Sequence, residues 1–413
     1  MERLVRIRKL LKEHGQEHLL MKYDELDQEA RTRLLDAIES IDFELMEKLY
    51  QKATEPVIEE QIVIEPIGHL DKDGMPKSEC KMYEELGEAT IRRGKLAVVT
   101  MAGGQGTRLG YNGPKGAFVF DPESGKSIFE ALTDTMKDAC ERYNVDIPWY
   151  IMTSRENNEA TKEFFEQHHY FGYPGKIRFF IQGELPMLSL DGKILLDKDF
   201  QIKSAANGHG GTLLSMEKSG VIRDMKANGI EWVSINGVDN VLVQPVDPLF
   251  IGLAVTSKSK GAIKSIAKAS PEERVGVICR KNGRVGVVEY TEISNQMANL
   301  RDRDGNLVYG DAYALFNLYS IEGLDMISNV PLPYHVAVKK ADYIDANGGF
   351  VKASQPNAYK FEQFIFDSYE LFSKVCVLRV RREDEFAPIK NATGQDSPET
   401  ALELYRKYMS KNK

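Results

Sequence analysis

Leu96-Ala-Val-Val-Thr-Met-Ala-Gly-Gly-Gln-Gly-Thr-Arg-Leu-Gly110, followed closely by Pro114-Lys115-Gly116, is the stretch on which the reading of this 413-residue chain turns. The short apolar run reads as a buried strand, and it empties into a glycine-rich turn. Glycine lets backbone N–H groups approach phosphoryl oxygens where a side chain would block them. Arg108 and Lys115 then add charge that a nucleoside triphosphate would use. Two other glycine loops fail on spacing. The pattern G-x-G-x-x-G begun at Gly104 demands glycine at position 109, where Leu109 stands. No Gly-Lys-Ser/Thr follows any candidate first glycine of a P-loop. Hydride transfer on a dinucleotide site, P-loop hydrolysis and a sugar kinase all lose support.

Around this loop, short apolar strands alternate with helical stretches from Lys95 to about Val380. Strands are expected at Leu96–Met101, Trp149–Thr153, Ile177–Phe180 and Trp232–Ile235, and helices at Asn157–Gln167 and Thr212–Lys218. That alternation predicts an α/β fold with a mixed, mainly parallel sheet and ligands at the carboxyl ends of its strands. Lys281-Asn-Gly283 between two β-rich runs signals a hairpin, hence an antiparallel insertion. Before the loop, Leu26, Ala30, Leu34, Ile38 and Ile41 recur at helical spacing, so residues 1 to about 53 read as supporting helices. Prolines and glycines between 55 and 94 suggest an irregular connection. The expected organisation is therefore 1–94 as a helical N-terminal region with a connection, 95–385 as the central domain, and 386–413 as a short C-terminal segment. The tandem His168-His169 lacks metal-ligand spacing and reads as a helix end.

Composition narrows the classes. The net charge of −8 argues against nucleic acid as a partner, so a phosphate site must be a local positive pocket. No apolar run approaches the length of a bilayer span, and Met1-Glu-Arg-Leu-Val-Arg6 is not a secretory leader. Cys80, Cys140, Cys279 and Cys376 form no C-x-x-C pair and read as reduced thiols of a cytoplasmic protein.

Gly103-Gly-Gln-Gly-Thr-Arg-Leu-Gly110 with Pro114-Lys115 resembles the signature of the UDP-sugar pyrophosphorylases, most closely their UDP-N-acetylhexosamine branch. Trp149-Tyr-Ile-Met-Thr-Ser154, Tyr170-Phe-Gly172, Gln182-Gly183, Val238-Asp-Asn240, Pro248-Leu-Phe-Ile-Gly252, Val288-Glu-Tyr-Thr-Glu-Ile293 and Arg382-Glu-Asp-Glu-Phe-Ala-Pro-Ile-Lys-Asn-Ala392 resemble that family in the same order. The resemblance runs from about residue 80 to 400. It implies a Rossmann-like nucleotidyltransferase fold of the GT-A type. It also implies a reaction in which a sugar-1-phosphate attacks the α-phosphorus of UTP and releases pyrophosphate. Such a step needs alignment and charge neutralisation rather than a covalent intermediate.

The resemblance then implies roles. Arg108, Lys115 and Lys390 would act on the phosphates, and Asp239 would hold Mg²⁺. Ala102, Gly103, Gly104, Gln105, Gly106, Thr107, Gln182 and Gly208 would hold the nucleotide, the Gln182 amide suiting the edge of uracil. Asn236, Gly237, Glu289, His209, Tyr313 and Lys360 would face the sugar. Two departures stand out. His209 occupies a position where relatives carry asparagine, and Gly310-Asp-Ala-Tyr-Ala-Leu-Phe-Asn317 replaces the sugar-reading strand, so Tyr313 or Phe316 would reshape that pocket. The small C-terminal β domain of eukaryotic relatives is expected to be missing, leaving a monomer or a weak homo-oligomer. N-acetylglucosamine-1-phosphate is the favoured sugar. Glucose-1-phosphate, a broad-specificity pyrophosphorylase and a non-catalytic nucleotide-sugar sensor are the alternatives.

Overall fold

The computed structural model describes residues 2–56 and 62–411. The chain forms two compact units, and neither follows the consecutive boundaries expected. One comprises Gln61–Gln182, Thr212–Pro331 and Ile365–Lys413, the other Met1–Glu60, Gly183–Gly211 and Leu332–Phe364. Both are assembled from separated segments, because their sheets recruit strands from distant parts of the chain.

The larger unit is built on a mixed sheet whose strands run, in spatial order, Leu70–Asp71, Val375–Val380, Gly261–Ala267, Asp311–Ser320, Trp232–Gly237, Leu96–Met101, Trp149–Thr153 and Ile177–Ile181. Asp311–Ser320 runs antiparallel to both its neighbours, and the other pairings in this order are parallel. Leu96–Met101 and Trp149–Thr153 are buried along their whole length, which explains why both are apolar but for one buried threonine each, Thr100 and Thr153. Helix Ile128–Tyr143 crosses over between them and starts on Ser127, whose hydroxyl accepts from the Glu130 amide. The hairpin Val277–Lys281 to Arg284–Val288 turns through Asn282 and Gly283, both at positive φ (50° and 79°), as the Asn-Gly signal predicts.

Residues 55–94 depart from the expected connection. Residues 57–61 lie outside the described residues, but Lys77–Arg92 is a helix of 16 residues. Its Gly87, read as a breaker, is instead a point of close approach to helix Pro248–Ser257. A Cβ on Gly87 would meet the Pro248 carbonyl oxygen at 1.8 Å, and one on Gly252 would meet the Tyr83 carbonyl oxygen at 1.9 Å. Two glycines, one from each helix, thus let the backbones touch.

The smaller unit holds three amphipathic helices, Glu2–Glu13, Gln28–Glu39 and Phe43–Thr54. Asp27 and Asp42 cap the last two. Ile7, Leu11, Leu34, Ile38, Phe43 and Leu49 form one core with Leu188, Leu196, Ile344 and Phe361. The helices therefore support the small sheet of His335–Lys339, Ala358–Glu362 and Leu188–Ser189. Near the C-terminus, Pro398–Lys411 is a helix.

Gly252→Ala should destabilise the protein by about 1–3 kcal/mol, because a backbone carbonyl cannot rotate away as a side chain would. Gly87→Ala should do the same. The double variant should lose less than the sum, since helices already forced apart accommodate the second methyl. Urea unfolding midpoints check this, and strict additivity would show that the two glycines do not share one contact.

Candidate active site

The glycine loop is fixed at the tip of its strand before any ligand is considered. Ala102 N–H donates to the Met152 carbonyl at 2.7 Å, and the loop then closes on itself. Gly106 N–H donates to the Gly113 carbonyl at 2.9 Å and Lys115 N–H to the Gly104 carbonyl at 3.0 Å. Asn157, with no exposed surface, donates to the carbonyls of Ala102 (2.9 Å) and Gly104 (3.2 Å). The sequence reading placed Asn157 only as a helix start and missed this role. At Gly103 a Cβ would fall 2.6 Å from Gln182 Oε1, so glycine is what allows the buried Gln182 carboxamide to lie against the loop backbone. Gly104, Thr107 and Arg108 are exposed, and Gln105 and Lys115 are half-buried.

The neighbouring parallel strand Trp232–Gly237 delivers Asp239. Val238 N–H still donates to the Met101 carbonyl at 3.1 Å, and the chain beyond it pairs with a segment far down the sequence. Ile389 N–H donates to the Asp239 carbonyl at 2.7 Å and Val241 N–H to the Ala387 carbonyl at 3.2 Å. Asn240 clamps the pair. Its Nδ2 donates to the Glu385 carbonyl at 2.7 Å and its Oδ1 accepts from Ala387 N–H at 2.8 Å. This closes a structural turn, one of the two readings open for Asn240. Lys390, invisible as a site residue from spacing alone, follows directly and comes out beside Asp239. Its ammonium lies 3.8 Å from Asp396.

Electrostatics show which charges share this region. Burial holds the Lys115 ammonium below the usual lysine range. Asp239 pulls it back up, Lys390 and Arg108 push it further down, and Asp396 opposes them. Two further cations and two carboxylates thus act on the Lys115 ammonium, beyond the carboxyl ends of two adjacent parallel strands. Such a centre is suited to a polyanion that brings more negative charge than the two carboxylates supply.

A buried ion cluster supports the Lys390 segment, and the sequence reading missed it. Lys264, 1% exposed, lies 2.7 Å from Asp247 and 2.6 Å from Glu385. Burial works to lower the Lys264 pKa, but the two carboxylates outweigh it and hold it above the lysine range. Burial and the field of Asp247 raise Glu385. Asp247 also caps helix Pro248–Ser257 by accepting from Leu249 N–H at 3.0 Å. A lysine in the middle of the apolar run Gly261-Ala-Ile-Lys-Ser-Ile-Ala267 was the available signal.

The remaining candidates are dispersed. Asn236 is 2% exposed, and its Oδ1 accepts from the Thr100 hydroxyl at 3.1 Å while its Nδ2 has no partner among the described residues. Gly237 makes room for Asp239 Oδ1 and Leu315 Cδ2, each 2.7 Å from where its Cβ would sit. Glu289 Oε1 lies 3.7 Å from the Cβ position of Gly276. Tyr313 is core-like. It is 9% exposed, its hydroxyl donates to Asn317 Oδ1 at 2.8 Å, and its ring meets Phe366 edge-on. Phe316 is 5% exposed. Gly208, His209 and Lys360 belong to the smaller unit. There Gly208 adopts φ +82° with its Cβ position 2.3 Å from the Gln363 carbonyl oxygen. His209 stacks on Phe364, and Lys360 pairs with Glu362 at 2.8 Å. In that unit Asn207, boxed between Gly183 and Gly211, keeps a buried Oδ1 without a partner among the described residues.

Comparison with known proteins shows the family. Residues 43–397 match the UTP–glucose-1-phosphate uridylyltransferase family. The chain belongs to this family. UDP-N-acetylglucosamine diphosphorylase 2 of Arabidopsis thaliana is 36% identical over 95% of this chain and 81% of its own length. UDP-N-acetylglucosamine pyrophosphorylase of Saccharomyces cerevisiae is 38% identical over 79% of this chain and 71% of its own. The crystal structure of the uridine diphosphate N-acetylglucosamine pyrophosphorylase of Trypanosoma brucei superposes with a TM-score of 0.83 at 28% identity. That match covers 98% of this chain and 84% of the other. The mixed, mainly parallel sheet is thus the nucleotidyltransferase fold of this uridylyltransferase family.

Two predictions follow from the site's charges. UTP affinity should fall at alkaline pH through a midpoint below the ordinary lysine value of about 10.4, because Lys115 loses its proton early. Lys115→Arg should remove that fall, and Asp239→Asn should move it to lower pH by deleting the carboxylate that holds the proton. Titration of UTP binding against pH reads all three, and identical curves would detach Lys115 from the nucleotide. Lys264→Met should cost about 3–5 kcal/mol by stranding two buried carboxylates. Adding Asp247→Asn and Glu385→Gln should recover most of it in urea unfolding.

Proposed function

We propose that this chain is a Mg²⁺-dependent uridylyltransferase that converts UTP and N-acetylglucosamine-1-phosphate into UDP-N-acetylglucosamine and pyrophosphate. The observation that carries the reading is the grouping of Arg108, Lys390 and Asp239 around Lys115 beside the closed glycine loop. A phosphate oxygen of the sugar-1-phosphate bonds to the α-phosphorus of UTP, and the bond from that phosphorus to the β-phosphate bridging oxygen breaks. Both reactants are anions, so the residues' task is to overcome their repulsion and hold them in line. Arg108 and Lys115 meet the triphosphate, and Lys390 meets the sugar phosphate from the opposite segment. The exposed loop amides cradle phosphoryl oxygens, and Gln182 meets the amide-like edge of uracil.

Asp239 is the residue that would hold Mg²⁺. Its carboxylate occupies space that Gly237 leaves open, and a single carboxylate suits an ion that takes most of its other ligands from phosphates and water. When bound, Mg²⁺ supplies charge neutralisation at the phosphates. In this reading the enzyme works in the cytoplasm, where its four free thiols remain reduced.

For the sugar, Leu315 is the specificity residue in place of Tyr313. The strand Asp311–Ser320 bulges there, the register stepping from Lys264 opposite Phe316 to Ser265 opposite Tyr313. Leu315 adopts φ +62°, a strained conformation for a bulky residue, and its half-exposed side chain lies over Gly237 next to Asp239. Glu289 is the candidate acceptor for sugar hydroxyls.

Pyrophosphate release with UTP, Mg²⁺ and one sugar-1-phosphate at a time tests the proposal. N-acetylglucosamine-1-phosphate should be turned over with the highest kcat/KM, above the galactosamine, glucose and galactose counterparts. Leu315→Ala should change the N-acetylglucosamine to glucose ratio by about tenfold, the size of a methylene-scale pocket effect. A folded, UTP-binding protein silent with all four sugars would favour the sensor alternative.

A further inference from the structure

Beyond the end of strand Gly261–Ala267, the larger unit has a cavity of about 320 Å³ that the reaction above does not use. Lys268, Arg301 and Arg379 line it together with Ser270 and Asn306, and no acidic residue is among its lining. In a chain of net charge −8 that composition is a local inversion. Arg379 is compensated by Asp311, at 2.7 Å and 3.0 Å. Lys268 and Arg301 are not, since among the described residues neither has an ion-pair partner. Lys268 is 9% exposed, and its ammonium donates to the Pro271 carbonyl at 3.0 Å. Arg301 Nη1 donates to the Gly305 carbonyl at 2.7 Å. Glu273, which acts on Lys268, is engaged elsewhere, pairing with Arg382 at 2.6 Å and accepting from Ala269 N–H at 2.7 Å. The Glu272 carboxylate, held by Ser270, acts on both Lys268 and Arg301 without forming an ion pair with either.

The Lys268 ammonium, with one neutral hydrogen-bond acceptor, bears a desolvation cost. Burial lowers the Lys268 pKa, and Glu273 and Glu272 offset this only in part. Two of its three donor hydrogens remain for a ligand in the cavity, and the Arg301 guanidinium offers the planar fork that matches phosphate oxygens. We propose that this cavity is a binding site for a small phosphate-bearing anion, separate from the nucleotide centre. The charges that act most strongly on the two centres differ. Lys115 responds to Asp239, Lys390, Arg108 and Asp396, whereas Lys268 responds to Glu273 and Glu272. Lys268 N–H also donates to the Gly310 carbonyl at 3.0 Å, immediately before the strand that carries Leu315. An anion held by Lys268 and Arg301 would bridge the end of strand Gly261–Ala267 and the segment that leads into strand Asp311–Ser320.

The test is calorimetric titration of inorganic phosphate into the full chain, at an ionic strength fixed with sodium chloride. Wild type, Lys115→Ala, Arg301→Gln and Lys268→Met are compared. Wild type and Lys115→Ala should share a binding event that Arg301→Gln weakens at least about tenfold and Lys268→Met removes. Arg301 is exposed and without an ion pair, so its variant keeps the test valid should Lys268→Met fail to fold. Unchanged binding in Arg301→Gln, loss of all binding in Lys115→Ala, or no binding by wild type would each overturn the proposal.

Discussion

One buried ammonium shared by two carboxylates holds the candidate site in one piece. Lys264 sits in the sheet, Asp247 starts the helix that follows Asp239 in the chain, and Glu385 opens the segment that ends in Lys390. Without that cluster, Asn240 and two backbone hydrogen bonds would have to fix Lys390 beside Asp239 alone. An apolar replacement would be cheaper in desolvation. What charge adds here is a fixed meeting point for three segments, reinforced by Lys72, which lies 3.9 Å from Glu385 and acts on both carboxylates.

The same logic of exclusion by backbone recurs at the glycines. Gly103 lets a carboxamide lie on the loop, Gly237 lets a carboxylate and a leucine share one spot, and Gly87 with Gly252 brings two helices into contact. In each case the glycine matters for the neighbour it admits. The conformational permissiveness that makes glycine a turn signal is a different property, and confusing the two misplaced the helix Lys77–Arg92.

What the sequence revealed and what it hid divide along this line. Leu96–Met101 and Trp149–Thr153 appear where the apolar runs put them, because a strand buried on both faces writes its own boundaries. The Asn282-Gly283 turn was equally local. The clustering of Arg108, Lys115, Asp239 and Lys390 was legible only through resemblance to a family, since nothing local links position 239 to position 390. Asn157, Lys264 and Asn207 escaped for the same reason, as each acts through partners distant in sequence or through a shape that only the folded backbone defines. Tyr313 was misleading in another way. A large aromatic in a departing motif looks like a pocket wall, yet its hydroxyl is consumed by Asn317, and the bulge one turn of the pleat later turns Leu315 outward instead.

The interleaved make-up of the smaller unit has a consequence for how the protein is born. Its helices Glu2–Glu13, Gln28–Glu39 and Phe43–Thr54 are synthesised well before the residues that complete their core, since Ile344 and Phe361 follow some 300 residues later. At synthesis rates of about 5–20 residues per second, those apolar faces wait for tens of seconds without their partner. The acidic and basic residues that cover the opposite faces of these helices, among them the Arg3, Arg6 and Glu39 group, are then the chain's protection against premature association.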